Sequence, residues 1–499
     1  MSQHEQKDEK KAKGGGDGHL SLVVLGASGD LAKKMVFPAL FALYKQDLLP
    51  KSLVVVGHAR SELDDAEFKK KISEKFSIDE DNKDAEEKKR KEFLDRCVYH
   101  RGKYDEAESF ADLDKLLQEY EEKAGDGANR LFYLAIPPSV YADAAKAIRE
   151  KGLSKKGWNR FVLEKPFGRD AESSAELSRK LSKLFDEEEV YRIDHYLGKE
   201  MVQNLLVLRF ANEVFEPVWN KDHIANVRIT LEEDFGAEGR GGYFDEKEES
   251  VTLTRGDDDT RLQFGIIRDV MQNHLIQVLA LVAMEPPKSL GASDIQDAKT
   301  KVLKSIAPIK PDDILIGQYT ASDDQGEKKK GYTDDPSIPN KHSLTPTFAV
   351  TELRVNNDRW EGTPFIIKSG KALNDHKSAV YLKMLTKKPG LTEEQALIEL
   401  DLTYKSRFAA EGKAPRIPGA YERLVLDVIK GDHRLFVRDD ELAAAWDIFT
   451  PILHHLEDQK VEPIPYAYGS RGPAEADEFI RARGFRLTPG YQWPKTSAL

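Results

Sequence analysis

A chain of 499 residues exceeds what one hydrophobic core organises, so its length implies two domains. With 40% apolar residues it can bury large cores, yet it offers no run of ~18 uninterrupted apolar residues, which excludes an ordinary membrane-spanning helix. The net charge of −11 argues against non-specific nucleic-acid binding, and the lone Cys97 permits no internal disulfide, reading as a packing residue in a reducing compartment.

Residues 1–18 are charged and Gly-rich, lack the apolar stretch of a secretory signal, and read as a disordered tail. Leu20 to Leu25 is an apolar run with β-branched members, followed by Gly26-Ala27-Ser28-Gly29-Asp30-Leu31-Ala32 and a helix-like stretch to Tyr44. A Gly-x-x-Gly-x-x-Ala turn between a strand and a helix is where backbone amides approach a pyrophosphate and a small third residue lets helix and strand pack closely. Alone, the same glycines also fit an ordinary tight turn. A second run, Leu53 to Val56, ends at Gly57-His58-Ala59-Arg60. An NAD site usually places an acid there to hold the ribose diol; an arginine fork pairs instead with a 2′-phosphate, so NADP is favoured, against the alternative of a solvated surface arginine.

Residues 61–97 are charged and mostly helical in character. Leu131 to Ile136 is a further strand candidate that stops at Pro137-Pro138, and Arg160 to Leu163 runs into Glu164-Lys165-Pro166-Phe167-Gly168. That junction aims a lysine with a constrained proline, through a bond that can be cis, or is a surface turn. Short apolar strands alternating with helical patterns predict a parallel, doubly wound sheet of Rossmann type. The stretch from Val190 to Glu200 ends a strand in Asp194, His195 and Tyr196, with Lys199 at a helix start. Imidazole, phenol and ammonium beside a positive helix N-terminus form a setting that favours phosphate, and Asp194 can accept a hydrogen bond from a histidine supplied elsewhere.

After Glu200 the texture changes. Residues 199–212 predict a helix, Asn226–Leu231 a strand, Ile266–Met284 a helix, and Phe348–Val355, Phe365–Ile367, Ala396–Leu402 and Leu424–Ile429 strands. The expected division is a dinucleotide-binding domain over 19–198 and an α+β domain with a mostly antiparallel sheet over 199–499. His274 shares an apolar stripe with Ile267, Met271 and Val278, which fits a satisfied core histidine or, paired with a carboxylate such as Asp194, a general base.

Six ordered motifs carry a resemblance. They are Gly26 to Ala32, Glu164 to Gly168, Arg192 to Lys199, Gly239-Arg240-Gly241-Gly242-Tyr243-Phe244-Asp245, Arg268 to His274, and Tyr468-Gly469-Ser470-Arg471-Gly472-Pro473. In this order they resemble the glucose-6-phosphate dehydrogenase family from Leu20 to Trp493. The resemblance implies that His274 takes the proton from the C1 hydroxyl of glucose 6-phosphate and that Asp194 orients it. It makes His195, Tyr196 and Lys199 the phosphate grip, Lys165 a contact to substrate and cofactor, and Glu233, Asp269 and Lys371 sugar contacts. Gly26, Ala27, Ser28, Gly29, Asp30 and Leu31, with Arg60 and Tyr141, become the NADP contacts. It further implies cytosolic dimers or tetramers with no metal.

Two departures stand out. Residues 247–263 are inserted where the family runs almost directly from Glu246 into Phe264, and the insert, with Asp257-Asp258-Asp259, precedes the helix bearing His274. Near 378–381 about thirty residues are missing relative to the family, enough for two sheet strands. Eukaryotic-type members bind a second, structural NADP near that sheet. Lys368, Lys377, Tyr381, Lys383, Asp401, Thr403, Arg471 and Trp493 match positions lining it, while His376 stands where the family has another basic sugar-site residue. Alternatives are a sugar oxidoreductase of the glucose–fructose oxidoreductase type, which lacks the Asp194-His195-Tyr196 block, and a catalytically impaired, NADP-binding splice form. The C-terminal Ser497-Ala498-Leu499 faintly resembles a peroxisomal address without its basic residue.

Overall fold

Residues 18–125, 127–239, 241–246, 262–324, 327–338, 340–382, 384–387, 395–398 and 416–484 are described by the structure, a computed structural model. Contacts divide the chain into one unit of residues 1–204, 287–297 and 417–443 and another of 205–286, 298–416 and 444–499.

In the first unit, β1 (Leu20–Leu25) and β2 (Leu53–Ala59) are buried at every residue, the mark of strands covered on both faces. With β3 (Cys97–Arg101), β4 (Asn129–Leu134), β5 (Asn159–Glu164) and β6 (Val190–Ile193) they form a parallel sheet in the order β6-β5-β4-β1-β2-β3. A short antiparallel strand, Phe436–Val437, closes the β6 edge. The chain starts in the middle at β1, winds out to β3 and returns to β4. The β1–β4 junction is therefore the switch point, where open α/β sheets leave a crevice at the strands' carboxyl ends. β2 continues through Ala59, so Arg60 is the first residue beyond it. Cys97 is buried at the start of β3 and its thiol is pushed far up by burial, as suits a packing residue.

The segment Leu424–Ile429, read from sequence as a strand, lies instead within the helix Ala420–Lys430. Its Leu424, Val425, Val428 and Ile429 recur at helical spacing and enter the first unit's core. Gly419 opens the helix with its N–H on the Glu422 carboxylate, and Gly431 ends it at φ +77°. The β-branched side chains supplied the misleading strand signal.

The second unit carries β7 (Val227–Glu232), β8 (Ile314–Thr320), β9 (Phe348–Arg354), β10 (Pro364–Gly370), β11 (Lys377–Leu382) and β12 (Ile464–Ala467) in the order β11-β7-β10-β9-β8-β12. Three of the five pairings are antiparallel; β7–β10 and β8–β12 are parallel, so the sheet is mixed. Gln395–Ile398 is a strand, and the rest of the predicted strand to Leu402 lies outside the described residues. Residues 1–17, 247–261 and the C-terminal Ser497 to Leu499 also lie outside them.

The predicted helix from Ile266 is a wide π-helical stretch, Ile267–Leu275, continued by the α-helix Ile276–Ala283, which is buried at every residue. A buried helix end leaves carbonyls without partners, and here three consecutive ones are met by side chains. Arg209 donates to Leu281 O (2.8 Å), Trp219 to Val282 O (2.8 Å) and Trp360 to Ala283 O (2.8 Å). The insertion before this helix leaves through a narrow stem. Asp245 and Glu246 pair with Gln263 and Leu262, and the Phe264 N–H donates to Phe244 O at 3.0 Å.

Candidate active site

At the end of β1 the chain turns at Gly26, where φ is +80° and an added Cβ would lie 2.1 Å from the Ala135 carbonyl oxygen. Only glycine meets both conditions. The N–H groups of Gly26 and Ala27 donate to His58 O (2.9 and 3.3 Å), tying the turn to β2, and the Gly29 N–H closes it on Gly26 O at 2.8 Å. A Cβ on Gly29 would meet only that carbonyl, so the space over the turn is open. Ser28 Oγ is hydrogen-bonded to Ser61 Oγ at 2.9 Å, while Asp30, after the turn, is exposed and paired with Lys33 and Lys34. Leu31 completes the turn into the helix that starts with Ala32. Arg60 stands beside this group with its guanidinium carbon 5.4 Å from the centre of the Tyr104 ring. An open glycine turn, a helix start, two hydroxyls and an arginine fit the phosphates of a dinucleotide. Sequence reasoning missed Ser61 and Tyr104, which have no motif of their own.

The Lys165–Pro166 bond is cis. Tyr141 is buried, donating its hydroxyl to Glu164 O (2.8 Å) and accepting from the Glu164 N–H (3.2 Å), so it anchors the backbone that presents Lys165. The Glu164 carboxyl is buried against the hydroxyls of Tyr133 and Tyr421. Burial pushes it up to about 7; the hydrogen bond from Tyr133 and the charge of Lys165 oppose that rise, and the charge of Asp194 adds to it. Glu164 stood in the sequence only as part of its motif, and its buried partner Tyr421 is a further residue that only the fold reveals.

Beyond β6, Asp194 is buried and accepts the Tyr196 N–H at 2.9 Å. Overlapping turns (Leu197 N–H to Asp194 O, Gly198 N–H to His195 O, Lys199 N–H to Tyr196 O) carry the chain into the helix Glu200–Phe210. A Cβ on Gly198 would lie 2.7 Å from Ala420 O, which explains the glycine. The Lys199 ammonium sits 3.5 Å over the Tyr196 ring, and the His195 ring lies 5.1 Å from Tyr196 and 6.0 Å from a near-parallel Tyr421. Imidazole, phenol and ammonium are thus gathered at one helix start.

In the second unit, Glu233 follows β7 with its N–H on Gly370 O at 2.9 Å. Lys371 follows β10, held through its N–H to Thr347 O (2.9 Å) and through the Tyr466 hydroxyl on its carbonyl (2.7 Å). Its buried ammonium reaches Glu233 at 2.5 Å and Asp269 at 3.7 Å. Asp269 comes from the first turn of the π-helical stretch, which also carries the buried His274. These two residues are five apart, the spacing one π-helical turn brings together. Gly265 at φ +56° and the Ile266 N–H on Pro346 O (2.8 Å) fix the start of that stretch, and Arg268 pairs with Glu457 at 2.6 Å. His376 is exposed and meets Asp234 at 3.1 Å.

Among the positions matched to a second dinucleotide, Lys368 and Lys377 share Glu232 at 3.2 and 3.3 Å, and Lys377 also pairs with Asp375 at 2.9 Å. Burial lowers the Lys368 ammonium and Glu232 raises it in part. Tyr381 lies under Arg228 (4.3 Å) and Arg471 pairs with Asp477 (3.5 Å). Lys383, Asp401, Thr403 and Trp493 lie outside the described residues.

Comparison with known proteins places these features in context. Residues 23–204 match the family model "Glucose-6-phosphate dehydrogenase, NAD binding domain". Residues 206–383 and 375–494 match "Glucose-6-phosphate dehydrogenase, C-terminal domain", the two pieces meeting at the departure near 378–381. The glucose-6-phosphate 1-dehydrogenase of Dictyostelium discoideum is 49% identical over 512 residues, spanning 96% of this chain and 97% of its own. A cytoplasmic form from Arabidopsis thaliana, glucose-6-phosphate 1-dehydrogenase 5, is 47% identical, spanning 95% and 93%. A solved glucose-6-phosphate dehydrogenase in complex with its substrate glucose 6-phosphate superposes with a TM-score of 0.84 at 41% identity, covering 95% of this chain and 99% of that one. The Mycobacterium avium enzyme gives 0.75 at 28% identity, covering 95% and 100%.

Proposed function

The chain belongs to the glucose-6-phosphate dehydrogenase family, and on that premise we propose that it draws on NADP and divides its chemistry among the residues described above. It oxidises glucose 6-phosphate at C1 to 6-phosphoglucono-1,5-lactone, the first step of the oxidative pentose phosphate pathway. Bound nicotinamide supplies the acceptor for the hydride. The protein supplies alignment and a base. His195, Tyr196 and Lys199 hold the substrate phosphate, Glu233, Asp269 and Lys371 hold the sugar hydroxyls, and Lys165 serves substrate and cofactor. His274 takes the C1 hydroxyl proton while Asp194 orients the imidazole and stabilises its charged form.

The observation that carries this reading is the Lys371–Glu233–Asp269 cluster, in which carboxylates from two distant stretches converge on the buried ammonium of a third. The preference for NADP is supported by Arg60 beyond β2 and by the Ser28–Ser61 pair beside it. A cytoplasmic location is supported by relatives named cytoplasmic and is checked by imaging of the expressed chain, and light scattering tests a homodimer or homotetramer.

Purified protein is assayed for NADPH absorbance with glucose 6-phosphate, and absence of turnover would overturn the reading. His274→Asn should lower kcat at least ~100-fold while leaving substrate affinity nearly intact, since a general base contributes ~10²–10⁴-fold in the transition state. A variant that keeps a tenth of wild-type turnover removes His274 from that role.

A further inference from the structure

One exposed arginine at a strand end is a poor reader of a phosphate unless something holds it, because a free side chain loses rotamer freedom on binding. Arg60 is held. Its guanidinium lies over the Tyr104 ring, 5.4 Å from the ring centre, within the reach of a cation–π contact.

Tyr104 is itself buried and fixed from below. Its ring meets His58 edge to face at 5.8 Å, and His58 stacks on His100 at 5.1 Å with the two Nδ1 atoms hydrogen-bonded at 2.9 Å. Phe110 packs on His58 at 5.2 Å from the neighbouring helix. Gly102 admits this arrangement, since a Cβ there would lie 2.6 Å from His58 Cε1. The result is a pile of rings, His100, His58 and Tyr104, that rises from β3 and β2 to the guanidinium.

We propose that Tyr104, seated on the His58–His100 pair, is a positioning residue that pre-sets Arg60 for the 2′-phosphate and thereby sets the preference for NADP over NAD. The proposal rests on the reading of Arg60 as the 2′-phosphate contact, and its test separates the two. NADP and NAD are titrated into the full-length protein carrying Tyr104→Leu, Tyr104→Phe, Arg60→Ala or Tyr104→Leu with Arg60→Ala. Tyr104→Leu should weaken NADP about three- to thirtyfold, the range of a cation–π contact, and NAD less than about twofold. Tyr104→Phe, which keeps the aromatic face, should bind NADP within about twofold of wild type. In the Arg60→Ala background Tyr104→Leu should cost NADP nothing further, because the two residues act as one unit. Equal losses for both cofactors, or full additivity with Arg60→Ala, overturn the proposal while leaving Arg60 its role. If Arg60→Ala alone weakens both cofactors equally, the reading of Arg60 fails and the proposal with it. Should Tyr104→Leu fail to fold, Tyr104→Met, titrated in the same way, decides: a loss confined to NADP supports the proposal, and unchanged NADP binding overturns it.

Discussion

Lys199 combines two local facts, a place at the start of the helix Glu200–Phe210 and an ammonium laid over the Tyr196 ring. Lys199→Ala should therefore raise the KM for glucose 6-phosphate by about one to two decades, the value of a charge-assisted hydrogen bond, and hardly change the slow oxidation of free glucose. Equal damage to both sugars would assign Lys199 to the fold. Glu164 gives a different handle. Its carboxyl rises from an ordinary 4.5 to about 7, chiefly through burial, which corresponds to about 3 kcal/mol of preference for the protonated form in the folded state. A raised pKa contributes stability that is complete below 4.5 and is lost as pH climbs through 7. Thermal melts should show Glu164→Gln gaining on wild type between pH 5 and 8; a constant difference across that window would contradict the burial argument. Arg60, Lys199 and the Asp194-His195-Tyr196 run were legible because their chemistry is contiguous in the chain. Tyr104, Ser61 and Tyr421 were not, because they reach their partners only through strand order and helix packing.

The helix Ile276–Ala283 shows how an element can be fixed by its end. Three carbonyls at its C-terminus are met by Arg209, Trp219 and Trp360, so the preceding turns with Asp269 and His274 cannot fray from that side. Trp360→Phe keeps most of the packing and strands the Ala283 carbonyl; an unsatisfied buried acceptor costs about 1–3 kcal/mol, which a denaturant melt reads directly. An unchanged midpoint would show that water takes the place of the indole. Apolar runs such as β1 and β4 announced themselves, as did this helix. The strand Cys97–Arg101 did not, since it lies at a sheet edge, only Cys97 in it is buried, and it looks like the charged helices around it. Leu424–Ile429 was misread because a short Leu-Val-Ile cluster satisfies both periods, and only the glycines on either side decide for the helix.

For the molecule as a whole, the net charge of −11 means that an anionic substrate and an anionic cofactor need local cations, and the proposed assignment gives that part to Arg60, Lys165 and Lys199 in the first unit and Lys371 in the second. The cluster proposed to contact the sugar is assembled from residues 233, 269 and 371, a grouping no local pattern encodes and which family resemblance alone brought to notice. The insertion was legible as a departure, but not how it is accommodated. Its stem is pinned independently of what it carries, with Asp245 taking hydrogen bonds from Tyr332 (3.2 Å) and Thr345 (2.6 Å) in the second unit's interior. Replacing residues 247–261 with Asn-Gly, a pair suited to a two-residue hairpin turn, should leave kcat, KM and melting temperature near wild type. A large loss of kcat would give those residues a part in the chemistry.

A stem two residue pairs long whose strands run side by side makes residues 246 and 262 a socket. Closing a loop costs only about 0.6 kcal/mol for each doubling of its length, so the socket is nearly indifferent to the size of what is plugged into it. An affinity handle, a fluorescent reporter or a surface tether installed there would ride on the enzyme within reach of the helix bearing His274 while leaving the hydrogen bonds that start that helix untouched.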